Sequence, residues 1–326
     1  MIAVSAPTIH SSDPIRKIDL ARDLNPVADL IELCFPIHLD PDGKTYVNEM
    51  RKAARDMRLM GWLSSISDLE PMRSSGFVWE VDGRIVGNLS MIPLRKSGRR
   101  VYLIANVAVH PDFRRHGIAR KLTQRALVHL AQQRVTEVWL QVRDDNPPAI
   151  NLYRSLGFKD QAARTTWRIH PAGFKSGLIT AQDGLSVRRR RRGDWEVQRD
   201  ALEEVYPQAI VWNLPVNFHR FRPGVYQSIA NFLEGVLLKH WAVCVDGKCQ
   251  GVITWQKSDS YANNLWLAFP DGQDETLLPF GLRHMMRHIA RNHPLSIDYP
   301  KGRCDQVLTD MGFAEFRTLI WMWRRP

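Results

Sequence analysis

Cysteine is scarce in this chain. Cys34, Cys244, Cys249 and Cys304 are too few and too scattered among 326 residues to form a disulfide framework. Cys244 and Cys249 flank the Asp246-Gly247 turn, with no second Cys/His pair beside them. They read as small buried thiols rather than zinc ligands, so no metal is expected. A long apolar run is missing too, since nothing approaches the roughly 18 residues of a membrane span. Met1 to Pro14 lacks the charged start and apolar core of a secretory leader. These absences point to a protein of the reducing cytoplasm without membrane attachment. Acidic residues are also in short supply: 34 Asp+Glu stand against 45 Lys+Arg, a net charge of +11. Such a balance favours anionic ligands without naming one. The excess is shared, with 25 Lys+Arg against 18 Asp+Glu up to residue 172 and 20 against 16 beyond it. It is therefore not a basic tail.

What is present comes twice. Phe77-Val78-Trp79-Glu80-Val81-Asp82-Gly83 is followed by Ile85-Val86-Gly87, and Trp241-Ala242-Val243-Cys244-Val245-Asp246-Gly247 by Cys249-Gln250-Gly251. Both spacings predict hairpins with Asp-Gly turns. Leu156-Gly157-Phe158 has its counterpart in Met311-Gly312-Phe313, and Trp167-Arg168 in Trp323-Arg324. Shared landmarks in a shared order predict duplication of one domain. The expected division is an extension over 1–14, a domain over 15–172, a linker over 173–186 and a second domain over 187–326. Within the first domain the order is strand, two helices, hairpin, strand, helix, strand, helix and strands. Ile118, Leu122, Ala126 and Leu130 recur every fourth residue along one helical face. Pro147 to Ser155 is a short helix, with Asn146 as its expected cap and Gly157 as its stop. The class is α+β, each domain a mixed, mostly antiparallel sheet flanked by helices.

One stretch carries chemistry. Arg114-Arg115-His116-Gly117-Ile118-Ala119 lies between the strand-like run Val101 to Val109 and the helix that follows. Small residues at positions 117 and 119 let backbone approach a phosphate. The helix start adds free N–H groups and a positive dipole end. The segment reads as a pyrophosphate cradle.

These residues resemble the GNAT superfamily of acyl-CoA-dependent N-acyltransferases. Val107 to Ala119 fits the family's strand-loop-helix signature R/Q-x-x-G-x-G/A, and Asn146 to Phe158 fits N-x-x-A-x-x-L-Y-x-x-x-G-F. The match covers about residues 15 to 170, and the second half shares only its outline. The resemblance implies acetyl-CoA, or another acyl-CoA, as co-substrate. It implies backbone N–H groups of Arg115, His116, Gly117, Ile118 and Ala119 on the pyrophosphate, with Arg114 beside them. Val107 and Val109 would pair with the pantetheine arm like an added strand, the Val107 N–H polarising the thioester carbonyl. Asn146 would hold the cofactor arm, and Tyr153 would protonate the departing thiolate. The chain departs from the branch that acetylates protein N-termini at Gln141, where that branch often carries a Glu. Glu80 and His38 are the remaining candidates for a base, and His110 follows the cofactor strand.

The acceptor, a small-molecule or peptide amine, is expected among the first two helices, the loop Phe35 to Tyr46 and the turn Arg95 to Arg100. In the second half, Asp271, Asp274 and Glu275 put negative charge where a pyrophosphate would sit, and no Tyr matches Tyr153. That half reads as a degenerate GNAT-like domain, giving a monomeric pseudo-dimer or a homodimer. Arg188 to Arg192 could be a nucleic-acid patch. Its place in the repeat instead makes it a strand with exposed alternate residues, which argues against nucleic acid. Two functions follow: an N-acetyltransferase working by direct attack in a ternary complex, or a non-catalytic acyl-CoA sensor.

Overall fold

A computed structural model describes residues 13–35, 41–60, 75–176, 184–290 and 292–326. His38 and Asp40, and much of the Phe35 to Tyr46 loop, lie outside them. The chain divides into two compact units. The first comprises Met1–Gln141, Pro148–Lys159 and Met322–Pro326, and the second comprises Val142–Pro147 and Asp160–Trp321.

In the first unit, strands β1 (Ile15–Lys17), β2 (Ser75–Val81), β3 (Arg84–Lys96) and β4 (Arg99–Val109) pair antiparallel in sequence order. β5 (Val138–Arg143) then joins β4 in parallel. Two hairpins close on turns with both central φ positive, Asp82-Gly83 (+50° and +77°) and Ser97-Gly98 (+48° and +77°). Such turns match the right-handed twist of the strands. Helices α1 (Leu20–Cys34) and α2 (Pro41–Met60) cover one face. There Val27, Ala28, Leu30, Ile31 and Val47 pack with Val78, Ile85 and Ala108. Helix α3 (Ile118–Gln132) covers the other, because alternate strand residues point to opposite sides. A Cβ at Gly87 would stand 2.8 Å from Ile118 Cγ2 and 3.2 Å from Leu122 Cδ1, so only glycine lets α3 sit that close. The four-residue period of α3 holds, with Ile118, Leu122, Ala126 and Leu130 all buried. Helix α4 (Pro147–Ser155) ends at Gly157, whose φ is +84°. The last residues of the chain complete this unit: Trp323 stacks on Trp139 at 6.1 Å, and Arg324 donates to the Leu156 carbonyl.

The second unit contains β6 (Lys159–Ile169), β7 (Leu185–Arg189), β8 (Leu238–Val245), β9 (Lys248–Gln256), β10 (Asn263–Ala268) and β11 (Leu295–Pro300). β7 to β10 pair antiparallel in turn, β10 and β11 are parallel, and β11 pairs with β6 from Leu295↔Ile169 to Pro300↔Arg164. Most of β12 (Ala314–Arg324) also falls here. The helices are α5 (Trp195–Val205), α6 (Gln208–Val211), α7 (Val225–Leu233), α8 (Asp274–Met286) and α9 (Asp305–Asp310). The Asp246-Gly247 hairpin repeats the positive-φ turn of the first unit, at +48° and +76°. Trp167 and Ile169 of β6 enter the core of this unit beside Leu278, Leu282 and Phe313. Both units are α+β, a mixed and mostly antiparallel sheet flanked by helices. No helix among the described residues is long and apolar enough to cross a membrane.

Candidate active site

The site in the first unit begins where β4 loses a neighbour. β4 pairs with β5 only from Tyr102↔Val138 to Ile104↔Leu140, whereas it stays paired with β3 as far as Gly87↔Val109. The edge of β4 over residues 105–109 is thereby left open on the β5 side, the arrangement an extended ligand uses when it adds as a strand. Val107 and Val109 lie on this stretch, each half-buried. The register shifts here. Asn88 pairs with Ala108 and Ser90 with Ala105, so Leu89 faces both Asn106 and Val107. This is a β-bulge, which takes its extra residue out of the ladder and re-aims the strand. Asn106 supplies the left-handed conformation, with φ +51°.

After β4, one turn of 3-10 helix at Pro111–Phe113 leads to the cradle. Arg115 (φ +66°) and Gly117 (φ +76°) wind the backbone left-handed into the start of α3. Gly117 is the N-cap residue, and no side chain caps the helix. The first turn of α3 carries no acidic residue. Its free N–H groups therefore face outward beside the exposed Arg115 and His116. A Cβ at Gly117 would meet nothing within 4 Å, so the glycine is needed for its φ and the space before it is open. Arg114 turns back onto the strand, its Nε donating to the Val109 carbonyl at 3.2 Å. Arg120 donates to Ser155 Oγ at 2.8 Å, tying α3 to α4. An uncapped helix start, open space and surrounding positive charge fit a pyrophosphate.

Tyr153 is on α4 with only 7% of its surface exposed. Its ring meets Phe158 edge-on at 5.9 Å, and its hydroxyl has no hydrogen-bond partner among the described residues. Burial pushes its ionisation above the ordinary 10.0, so the group remains a phenol. Asn146 belongs to the second unit, where its N–H donates to the Arg143 carbonyl at 3.2 Å.

The candidate bases fare differently. Glu80 is committed to Arg16 at 2.6 Å and Arg22 at 2.9 Å, and the Arg16 hydrogen bond holds its carboxyl below the usual range. A carboxylate so paired is a poor proton acceptor. His110 is nearly buried, its Nε2 accepting from Arg84 at 2.8 Å and its Nδ1 lying 3.6 Å from the Asp112 carboxylate. It lines a cavity of about 410 Å³ with Arg22, Asp29, Leu30 and Arg84, and no cradle residue takes part in that lining. Gln141 is half-buried and carries no titratable group.

Sequence reasoning missed a row of polar side chains at the bulge. Asn88 Nδ2 donates to the Asn106 carbonyl at 2.8 Å, and Asn106 Nδ2 donates to the Tyr46 hydroxyl on α2 at 2.6 Å. A bulge is a register event between two strands, and neither strand shows it alone.

The second unit closes the equivalent place from within. Asp274 opens α8 but is 1% exposed, where it accepts from the Tyr299 hydroxyl at 2.9 Å and from Arg303 Nε. Arg303 also donates to the Phe269 carbonyl and Glu204, each at 3.0 Å. The positive group at this helix start is thus supplied and used up internally. In the arginine run, Arg188 pairs with Asp194 at 2.6 Å and Arg190 donates to the Phe221 carbonyl at 2.6 Å. Arg189 is exposed and ends β7, so the expected strand covers only the start of the run; Arg191 and Arg192 lie beyond it, at the start of a 3-10 turn.

The first unit thus joins an open, bulged strand edge to an uncapped helix start. Residues 28–158 match the family model of the acetyltransferase (GNAT) family. It is 38% identical over 76 residues to the ribosomal protein bS18-alanine N-acetyltransferase of Salmonella typhimurium, covering 23% of this chain and 51% of that one. To an N-alpha-acetyltransferase of Sulfurisphaera tokodaii it is 36% identical over 108 residues, covering 29% and 62%. The chain thus spans about half the length of the curated relatives it matches. A tandem GNAT protein from the clavulanic acid biosynthesis pathway shares the fold, with a TM-score of 0.50 at 17% identity over 95% of this chain and 98% of that one.

Proposed function

We propose that this protein transfers an acetyl group from acetyl-CoA to a primary amine by direct attack in a ternary complex. The observation that carries this reading is the open, bulged edge of β4 leading straight into the uncapped start of α3. Acetyl-CoA supplies a thioester, whose C–S bond breaks as the amine nitrogen bonds to the carbonyl carbon. The N–H groups of Arg115, His116, Gly117, Ile118 and Ala119 bind the pyrophosphate, with Arg114 adjacent. Val107 and Val109 hold the pantetheine arm, and the Val107 N–H meets the charge that develops on the thioester oxygen. Tyr153 gives its phenolic proton to the leaving sulfur, which takes the C–S electron pair. The amine gives up one proton and the sulfur gains one, so the transfer is neutral in protons. Glu80 is held by Arg16 and Arg22 and is not free to take the amine proton. The reading therefore requires an acceptor that attacks as the neutral amine and passes its proton to water.

The two N-acetyltransferase relatives by name support an amine acceptor, and the bS18 enzyme by name a protein alanine. The test is purified chain with acetyl-CoA and a panel of small amines and Ala-initiated peptides, read as free CoA thiol and product mass. Turnover with at least one amine is expected. Tight acetyl-CoA binding without turnover across the panel would overturn the reading in favour of a sensor.

A further inference from the structure

We infer that Asn88 is a positioning residue for acetyl transfer: its side-chain amide holds the β4 bulge that aims the Val107 N–H. This inference rests on the acetyltransferase reading above. Asn88 is fully buried on β3, pairs with Ala108 and reaches across the bulge to the Asn106 carbonyl at 2.8 Å. That carbonyl belongs to the residue with φ +51°, which a regular ladder would not accommodate. The side-chain amide thus supplies a hydrogen bond where the bulge breaks the backbone ladder. Asn106 Nδ2 in turn reaches the Tyr46 hydroxyl on α2, so a row of amides runs from β3 through the bulge; Ser90 Oγ stands beside it, at 3.4 Å from Asn88 Nδ2 and 3.5 Å from Asn106 Nδ2, too far to hold it.

Two further observations argue that the amide is kept for the bulge and not merely for packing. Asn88 Oδ1 is buried without a hydrogen-bond partner among the described residues, an arrangement that weakens the fold. An apolar residue there would avoid that cost. The chain also contains its own comparison. By the repeat, Gly87 matches Gly251 and Asn88 matches Val252. In the second unit, β9 and β10 pair without interruption from Val252↔Ala268 to Asn264↔Gln256. The same strand pair therefore runs straight where the residue is valine, and bulges where it is asparagine. The straight copy is also the one whose helix start is neutralised by Arg303.

The bulge turns one backbone N–H, so its loss acts on the transition state more than on cofactor binding. The experiment compares Asn88→Val, which installs the second unit's residue, with Ser90→Ala on the same strand. Two readouts are taken: steady-state kinetics, and deuterium exchange of backbone amides in residues 105–108. For Asn88→Val, kcat should fall about 10-fold to 100-fold while KM for acetyl-CoA stays within about twofold. Exchange at 105–108 should quicken about tenfold or more, with β2 and α3 unchanged. Ser90→Ala should leave both readouts within about twofold. Wild-type kcat and exchange in Asn88→Val would overturn the inference. So would a uniform rise in exchange through the whole sheet with kcat and KM both altered, the mark of a purely structural residue. If the wild type acetylates no amine, the functional reading falls by itself, and the exchange arm still decides whether Asn88 holds the bulge.

Discussion

Replacing Tyr153 by phenylalanine separates chemistry from stability in this fold. The ring is 7% exposed and packs edge-on against Phe158, contacts that phenylalanine keeps. The hydroxyl has no partner among the described residues, so its removal orphans no buried group. Stability should therefore change by no more than about 0.5 kcal/mol, since a lost hydroxyl costs most when it breaks a hydrogen bond. Turnover should respond very differently. A positioned general acid contributes about 100-fold to 10,000-fold, or about 2.7 to 5.4 kcal/mol of barrier. The assay is thiol release at saturating acetyl-CoA, together with a thermal melt and a calorimetric titration of the cofactor. Expected are an unchanged melting temperature, an unchanged dissociation constant and a turnover lowered at least about 100-fold. Turnover within about threefold of the wild type would remove Tyr153 from the mechanism. The pH profile gives a second check. Burial raises this phenol above its ordinary 10.0, so it remains a donor across the neutral range. No alkaline decline of kcat below about pH 10 should then come from it. A raised acid also means that stability is lost on its account only as the pH climbs past 10.0.

Gly117→Val forces a branched residue into a φ of +76° at the start of α3. It should cost about 1–2 kcal/mol of stability and weaken acetyl-CoA binding by about tenfold or more. Titration calorimetry reads the second effect, and unchanged affinity would refute the cradle. In the second unit, His240 is held neutral: burial, with Arg190 nearby, pushes its pKa down to about 3 from 6.5. Its neutral ring meets Thr254 Oγ1 at 2.8 Å. A depressed histidine contributes stability above the unfolded value of 6.5 and loses it as the pH falls toward 3. Melting temperature should decline through that window, and His240→Gln should flatten the slope; an identical slope in the variant would refute the assignment.

Much of the local backbone geometry around the candidate site was legible because its signals are local. Gly117 and the residues around it read as a cradle because a helix start after a strand is set by a few adjacent residues. Pro147, Tyr153 and Gly157 could be placed because one short helix carries all three spacings. The Asp-Gly hairpins were equally plain, since both turn residues need positive φ. What escaped was whatever depends on the partner strand. The bulge at Asn106 needs the register of β3 against β4. Glu80 looked free to act as a base until Arg16 and Arg22 were brought to it from the first strand and helix. The acidic start of α8 read as plain repulsion, whereas folding turns Asp274 inward onto Arg303.

By itself, then, the sequence determined the α+β class, the turns and the helix start after β4, because helix periodicity, turn chemistry and helix ends are short-range. Only the tertiary structure decided where β4 opens, which charges are already paired, and which unit each terminal strand completes. Those are long-range events: residues 160–169 enter the core of the second unit, and residues 322–326 close the first. Strand pairing is settled by backbone hydrogen bonds and buried faces supplied from far along the chain. No local pattern carries that information.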